Sequence, residues 1–169
     1  MTKVNKQRIE ADYLKYTLNK YPSFIGRENC LPSVKFSDSD TKKLENCILD
    51  FLKFNGHHAV RQHTTGTRID KRKIVTDVIG RVRQIGSVQW VAGQNEVGRA
   101  DIVAKIMVNF KGRLIPVSVE IEVKFGKDFQ SEKQKEFEQN LKDIGAYYTI
   151  IKDFDSFLIW YDDFMKSFL

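Results

Sequence analysis

From Ile115 to Lys124 the chain alternates between apolar and polar or charged side chains. A period of two marks a β-strand with one buried face, because successive Cβ atoms point to opposite sides of a sheet. Ile115, Val117, Val119, Ile121 and Val123 therefore share one face, and Glu120, Glu122 and Lys124 the other. Ala100–Phe110 is also strand-like and is separated from Arg113–Phe125 by Lys111-Gly112 alone, which predicts an antiparallel hairpin. Such a hairpin pairs residues whose numbers sum to about 223, so Asp101 is expected beside Glu122.

The other elements follow from periodicity and punctuation. Leu44, Cys47, Ile48, Phe51 and Leu52 recur at spacings of three and four, predicting a helix over 39–55. Ser39 or Asp40 can cap its start, and Gly56 can supply the left-handed stop. Residues 7–19 read as a shorter helix, followed by an irregular stretch holding Pro22 and Pro32. Strands are expected over 57–65 and 73–82, a turn at 64–67, and a short apolar stretch with Trp90 over 87–92, ended by Gly93-Gln94-Asn95. A helix over 131–144, a strand over 147–151 and a helix over 155–168 complete the chain. The pattern predicts an α/β fold with a mixed central β-sheet flanked by helices. At 169 residues the chain suits a single domain, with residues 1–40 as an N-terminal helix and irregular extension and 41–169 as the main body.

Composition narrows the partners. The longest unbroken apolar or aromatic run is Phe157–Tyr161, far short of the ~20 residues that span a bilayer. The N-terminus has basic residues but no apolar stretch behind them, so neither membrane insertion nor secretion is expected. Cys30 and Cys47 form no metal or disulfide pattern, which fits a reducing, cytoplasmic setting in a bacterium or a virus-infected host cell. Cys47 lies on the apolar stripe and is expected to be buried and inert. The charge is uneven: residues 41–100 hold 11 basic and 5 acidic residues, within an overall net charge of +6. Arg61, Arg68, Lys71, Arg72 and Lys73 belong to this excess, which suits a polyanion by counterion release, or else forms a solvated loop. His57 and His58 point to opposite faces of their strand and are expected to meet phosphate or solvent rather than a metal.

Glu120, Glu122 and Lys124 on one strand face would ordinarily be solvated. Asp101, arriving from the partner strand, changes that reading, because two adjacent carboxylates repel unless a cation lies between them. Mg²⁺ favours all-oxygen sites and keeps water in its remaining positions. A bound Mg²⁺ also acidifies water and offsets phosphoryl charge, the two requirements of phosphodiester hydrolysis. Lys124 on the same face can position that water or stabilise the pentacovalent phosphorus.

At these residues the chain resembles the PD-(D/E)XK nucleases, and within them the VRR-NUC family. Glu45 on the first long helix, Gly98 and Asp101 at the turn, Glu122-Val123-Lys124 on the strand, and Ser131 with Gln134 at the helix start match the family's stations in order. The resemblance runs from about Lys42 to the C-terminus. It implies a restriction-endonuclease-like PD-(D/E)XK core and a Mg²⁺-dependent DNA endonuclease, with Mn²⁺ as a substitute. Asp101, Glu122 and the Val123 carbonyl would be metal ligands, Lys124 the catalytic lysine, and Gln134 and Glu45 further site residues. Ala100 stands where the family has proline, and Glu120 is a spare ligand or a surface charge.

Stand-alone members of that family resemble homodimers that cut branched DNA such as four-way (Holliday) junctions, so a homodimeric junction resolvase is the leading expectation. A flap- or duplex-cutting relative and a non-catalytic DNA-binding module of the same fold are the alternatives. Ser131–Gln134 also reads as a helix capping box, and Glu45 as the exposed edge of its helix. Trp160, Phe164 and Phe168 are read either as part of a dimer contact or as core.

Overall fold

The computed structural model describes residues 1–62, 66–91 and 98–169. In chain order the elements are α1 (Lys3–Lys20), α2 (Thr41–Phe54), β1 (His58–Arg61), β2 (Thr67–Asp70), β3 (Lys73–Thr76), β4 (Val82–Ile85) and β5 (Val88–Val91). They continue with β6 (Ile102–Phe110), β7 (Arg113–Val123), α3 (Glu132–Asp143), β8 (Tyr147–Ile151) and α4 (Phe154–Lys166). Four strands form the central sheet in the order β1-β6-β7-β8. The first two pairings are antiparallel and the third is parallel, so the sheet is mixed. The parallel step needs a crossover, and α3 supplies it.

The β6–β7 hairpin has the expected register, with Ile102 opposite Ile121 and Phe110 opposite Arg113. Lys111 at φ 51° and Gly112 at φ 79° both take the left-handed conformation that a tight hairpin turn requires. The apolar face packs under helices. Ile102, Ala104 and Ile106 of β6 and Val119, Ile121 and Val123 of β7 are buried against α2 and α4. The expected apolar face extends past the core at one end, where Ile115 is exposed.

α2 forms as its sequence requires. The Asp40 side chain accepts from the Lys43 N–H at 2.9 Å, and Gly56 at φ 80° follows its end. Phe51, fully buried, meets the rings of Phe154, Phe157 and Tyr161 edge-on at centroid distances of 6.0, 5.6 and 5.1 Å. Burial pushes the Cys47 thiol up to about 11, in keeping with an inert core cysteine.

The first forty residues join the same core. α1 starts at Lys3, four residues earlier than the apolar pattern indicates, because Thr2 caps it. Ile9 is fully buried, and Arg8 holds Asp162 of α4 through two hydrogen bonds of 2.7 Å. Phe164 lies buried between Trp160 and Phe168, at ring distances of 5.2 and 5.1 Å, so these aromatics pack within the chain. α3 lies across the other face of the sheet, where Phe137 meets Tyr148 of β8.

The clearest departure from the sequence pattern lies between β1 and β6. The strand expected over 73–82 is two short strands, β3 and β4, folded back on each other around Asp77–Arg81. Asp77 breaks the run: its side chain accepts from the N–H groups of Ile79 and Arg81, and Gly80 turns the chain at φ 79°. β2 and β5 pair outside them, so residues 67–91 form a two-stranded arm that is largely exposed from Arg68 to Val91, Trp90 included. The strand and turn expected over 57–67 contribute β1 and the start of β2, while His63, Thr64 and Thr65 lie outside the described residues, as do Ala92 and Gly93-Gln94-Asn95. Among the described residues no helix is long and apolar enough to cross a membrane.

Candidate active site

The charged face of β7 is not solvated. Glu122 is fully buried, Lys124 is 7% exposed and Glu120 is 8% exposed. Asp101 sits just before β6, one step beyond the Ile102–Ile121 pair, which sets it beside Glu122. Its Oδ2 accepts from the main-chain N–H of Val123 at 2.9 Å, fixing the carboxylate to the strand that carries Glu122. Burial raises the Asp101 carboxyl above its usual range, against the Val123 hydrogen bond and the nearby Lys124 charge. Burial pushes Glu122 up to about 7, Lys124 draws it down, and the Asp101 charge pushes it up again.

Lys124 Nζ lies 2.9 Å from Glu122 Oε1 and 3.5 Å from Asp128 Oδ2. Burial lowers its pKa, but the hydrogen bond and charge of Glu122, with Asp128, outweigh this and raise it, so Lys124 is a held cation. Asp128, four residues beyond Lys124 in a loop, carried no signal in the sequence.

Gln134 performs two tasks. Its Oε1 accepts from the Ser131 N–H at 2.9 Å while Ser131 Oγ accepts from the Gln134 N–H at 3.3 Å, a complete capping box for α3. The same Oε1 accepts from Lys124 Nζ at 3.1 Å, and Gln134 Nε2 donates to Glu122 Oε1. Capping and membership of the buried polar cluster, alternatives in the sequence, are both met by one amide. Gly98 brings the chain into position opposite: at φ 96°, a Cβ there would lie 2.6 Å from the Lys133 carbonyl oxygen. Only glycine permits this approach of the turn before Asp101 to the first turn of α3.

Glu45 is held rather than displayed on a helix edge. Its Oε2 is 2.5 Å from Arg61 Nε, and Arg61 also donates to Asn46 Oδ1 at 2.8 Å. Arg61 lies opposite Ile102, next to Asp101, so the Glu45–Arg61 pair borders the carboxylates. Arg68, Lys71, Arg72 and Lys73 are elsewhere, on the exposed arm. Glu120 is no surface charge: one oxygen is 3.5 Å from Arg99 Nη2 and the other is buried with no hydrogen-bond partner among the described residues.

His57 departs from its expected contact with phosphate or solvent. Its Nδ1 accepts from the Met107 N–H at 3.2 Å, so its proton sits on Nε2, which lies 2.7 Å from the Tyr161 hydroxyl. Burial lowers its pKa, so this is a neutral structural histidine.

Among the described residues no three His, Cys, Asp or Glu side chains converge as a ready-made metal cluster. The fit to a divalent cation rests on two carboxylates. Glu122 Oε2 is buried and has no hydrogen-bond partner among the described residues, and Asp101 has only Oδ2 engaged with Val123. A buried carboxylate oxygen without a donor is costly unless a proton or a cation meets it. An all-oxygen pair of this kind suits a hard ion such as Mg²⁺.

Comparison of the chain with protein-family models, with curated proteins and with solved structures finds no match. The site therefore stands on its own geometry.

Proposed function

We propose that this protein is a metal-dependent endonuclease of the VRR-NUC type, with a restriction-endonuclease-like PD-(D/E)XK core, that hydrolyses phosphodiester bonds in branched DNA. The observation that carries this reading is the Oε2 of fully buried Glu122, which has no hydrogen-bond partner among the described residues, beside Asp101 and with Lys124 on the other oxygen. Burying two acids and a lysine costs free energy and gives an ordinary scaffold nothing in return. Such groups cluster where chemistry needs them.

Asp101, Glu122 through Oε2, and the Val123 carbonyl would hold Mg²⁺ or Mn²⁺. Bound there, the ion supplies a more acidic water and charge neutralisation at the phosphoryl group. The remaining work falls to side chains. Lys124, kept protonated by Glu122, offers N–H groups to the attacking water or to a phosphoryl oxygen, where negative charge develops. Gln134 fixes both Glu122 and Lys124, so neither has to reorganise as the reaction proceeds. The Glu45–Arg61 pair stands at the border of the site, within reach of substrate approaching past β1.

A homodimer is part of the proposal, since a symmetric four-way junction offers two equivalent strands and two-fold pairing is the commonest assembly. The test uses end-labelled four-way junction, flap and linear duplex, incubated with Mg²⁺ or with EDTA. The wild type should make paired incisions in the junction that Asp101→Ala and Lys124→Ala abolish. Binding with no cutting in Mg²⁺ or Mn²⁺ would leave a DNA-binding module and end the enzymatic reading.

A further inference from the structure

Residues 67–91 have no role in the carboxylate site, yet they are built with care. β2 pairs with β5 and β3 with β4, and every pair sums to the same register, so the arm is one long ribbon folded at Asp77–Arg81. On the sheet side, the Gln62 N–H donates to the Asp101 carbonyl at 2.7 Å, so β1 ends bonded beside the acidic pair. Ten residues along each side, from Thr67 to Thr76 and back from Val82 to Val91, reach ~33 Å at a strand's rise, about one turn of DNA.

Two features of the arm point to its partner. The first is charge: Arg68, Lys71, Arg72, Lys73, Arg81 and Arg83 are opposed only by Asp70 and Asp77. Those acids pair with Arg72 at 2.5 Å and Arg83 at 3.7 Å, and Arg68, Lys71, Lys73 and Arg81 form no ion pair among the described residues. Two copies of so basic an arm repel one another, whereas a polyanion fits it. The second is the tip. Val78 and Ile79 are 106% and 71% exposed, held outward by the Asp77 and Gly80 turn. Two adjacent apolar side chains at the far end of a basic ribbon are placed to meet an apolar surface that the cations bring near.

We propose that the arm lies in a groove of double-helical DNA, its cations on the phosphates, and presents Val78 and Ile79 as an apolar wedge to the base stack at a branch point. This rests on the reading of branched DNA as the substrate, and it names the residues that select the branch. A two-stranded ribbon fits the major groove. Apolar wedges between base steps ordinarily work against the cost of unstacking. At a branch the stack is already interrupted, so the wedge discriminates a junction from plain duplex.

The experiment measures binding of the whole protein in EDTA to a four-way junction and a linear duplex, across a KCl series, with 2-aminopurine beside the branch. Val78→Ser with Ile79→Ser, at exposed positions, should lower the ratio of junction to duplex affinity about tenfold or more. It should also remove the wild type's 2-aminopurine fluorescence rise. Lys71→Ala with Lys73→Ala should weaken both DNAs alike and reduce the salt slope by roughly two. An unchanged affinity ratio in the tip variant overturns the inference. So does a tip variant whose sedimentation shows lost self-association while its DNA binding is intact, because the tip then meets a second copy. The enzymatic reading fails separately: a wild type that binds junctions through the arm but cuts in neither Mg²⁺ nor Mn²⁺ sinks the nuclease and leaves the wedge.

Discussion

Gln134, in the first turn of α3, donates to Glu122 near the end of β7 while accepting from Lys124 just past that end. One neutral amide thereby links a buried acid to the cation beside it, and ties both to a helix start through Ser131.

Gln134→Glu separates the two tasks. Glutamate serves equally well in a capping box, so α3 should keep its cap, but it cannot donate to Glu122 and sets a third carboxylate beside it. Cleavage should fall by about 10²-fold or more, while helical circular dichroism stays as in the wild type. Gln134→Ala keeps the Ser131 cap, whose partner is the main-chain N–H of residue 134, but loses the reciprocal bond to the Ser131 N–H, so it should be slightly less stable than Gln134→Glu. Wild-type cleavage in Gln134→Glu would reduce Gln134 to a cap.

Glu122 governs a pH dependence of stability. Its pKa is pushed up to about 7 in the folded protein, against about 4.3 unfolded. Between those values the native state binds more protons than the unfolded state, so metal-free stability falls as pH rises through the window. Asp101, also raised, adds to the same slope. Glu122→Gln should flatten the slope and raise stability at pH 8 by on the order of 1 kcal/mol. Thermal unfolding at several pH values in EDTA measures this, and a wild type whose Tm is flat between pH 5 and 8 would contradict it.

A divalent ion should reverse that slope. Metal and proton compete for the same carboxylates, so Mg²⁺ should raise Tm at pH 8 more than at pH 5. Asp101→Ala should remove the effect. Isothermal calorimetry with Mg²⁺ alone gives the same answer without any DNA.

Gly98→Ala tests how closely the turn before Asp101 must approach α3. The new Cβ would fall 2.6 Å from a backbone oxygen that cannot swing away, at a φ of 96° that alanine disfavours. A loss of roughly 1–3 kcal/mol is expected, with reduced cleavage, because the shift moves α3 and Gln134 from Glu122. Urea unfolding and cleavage assays on the one variant should show both losses.

Arg61 and the arm cations should behave differently. Arg61 is tied to Glu45 and Asn46, so Arg61→Ala should lower the cleavage rate while leaving the salt slope of DNA binding nearly unchanged. Lys73→Ala should reduce that slope by about one. A full unit lost from the slope in Arg61→Ala would restore Arg61 to the phosphate contacts.

The sequence alone settled what repeats locally. The alternation through Ile115–Val123 and the two-residue turn at Lys111-Gly112 dictated the β6–β7 hairpin, its register and hence the meeting of Asp101 with Glu122. The three-and-four spacing from Leu44 to Leu52 dictated the buried face of α2. Both patterns are enforced by chain geometry over a few residues, so they can be read without neighbours. What the tertiary structure decided depends on distant partners. A row of charges on β7 reads as solvated until α3 closes over it. His57 reads as exposed until Met107 and Tyr161 bracket it. Residues 73–82 read as one strand, although Asp77 and Gly80 break it, because β-branched side chains mark strands whether they are buried in a sheet or held out on an arm. Burial belongs to the assembled fold, and burial is what turns Glu122 from a surface charge into a chemical group.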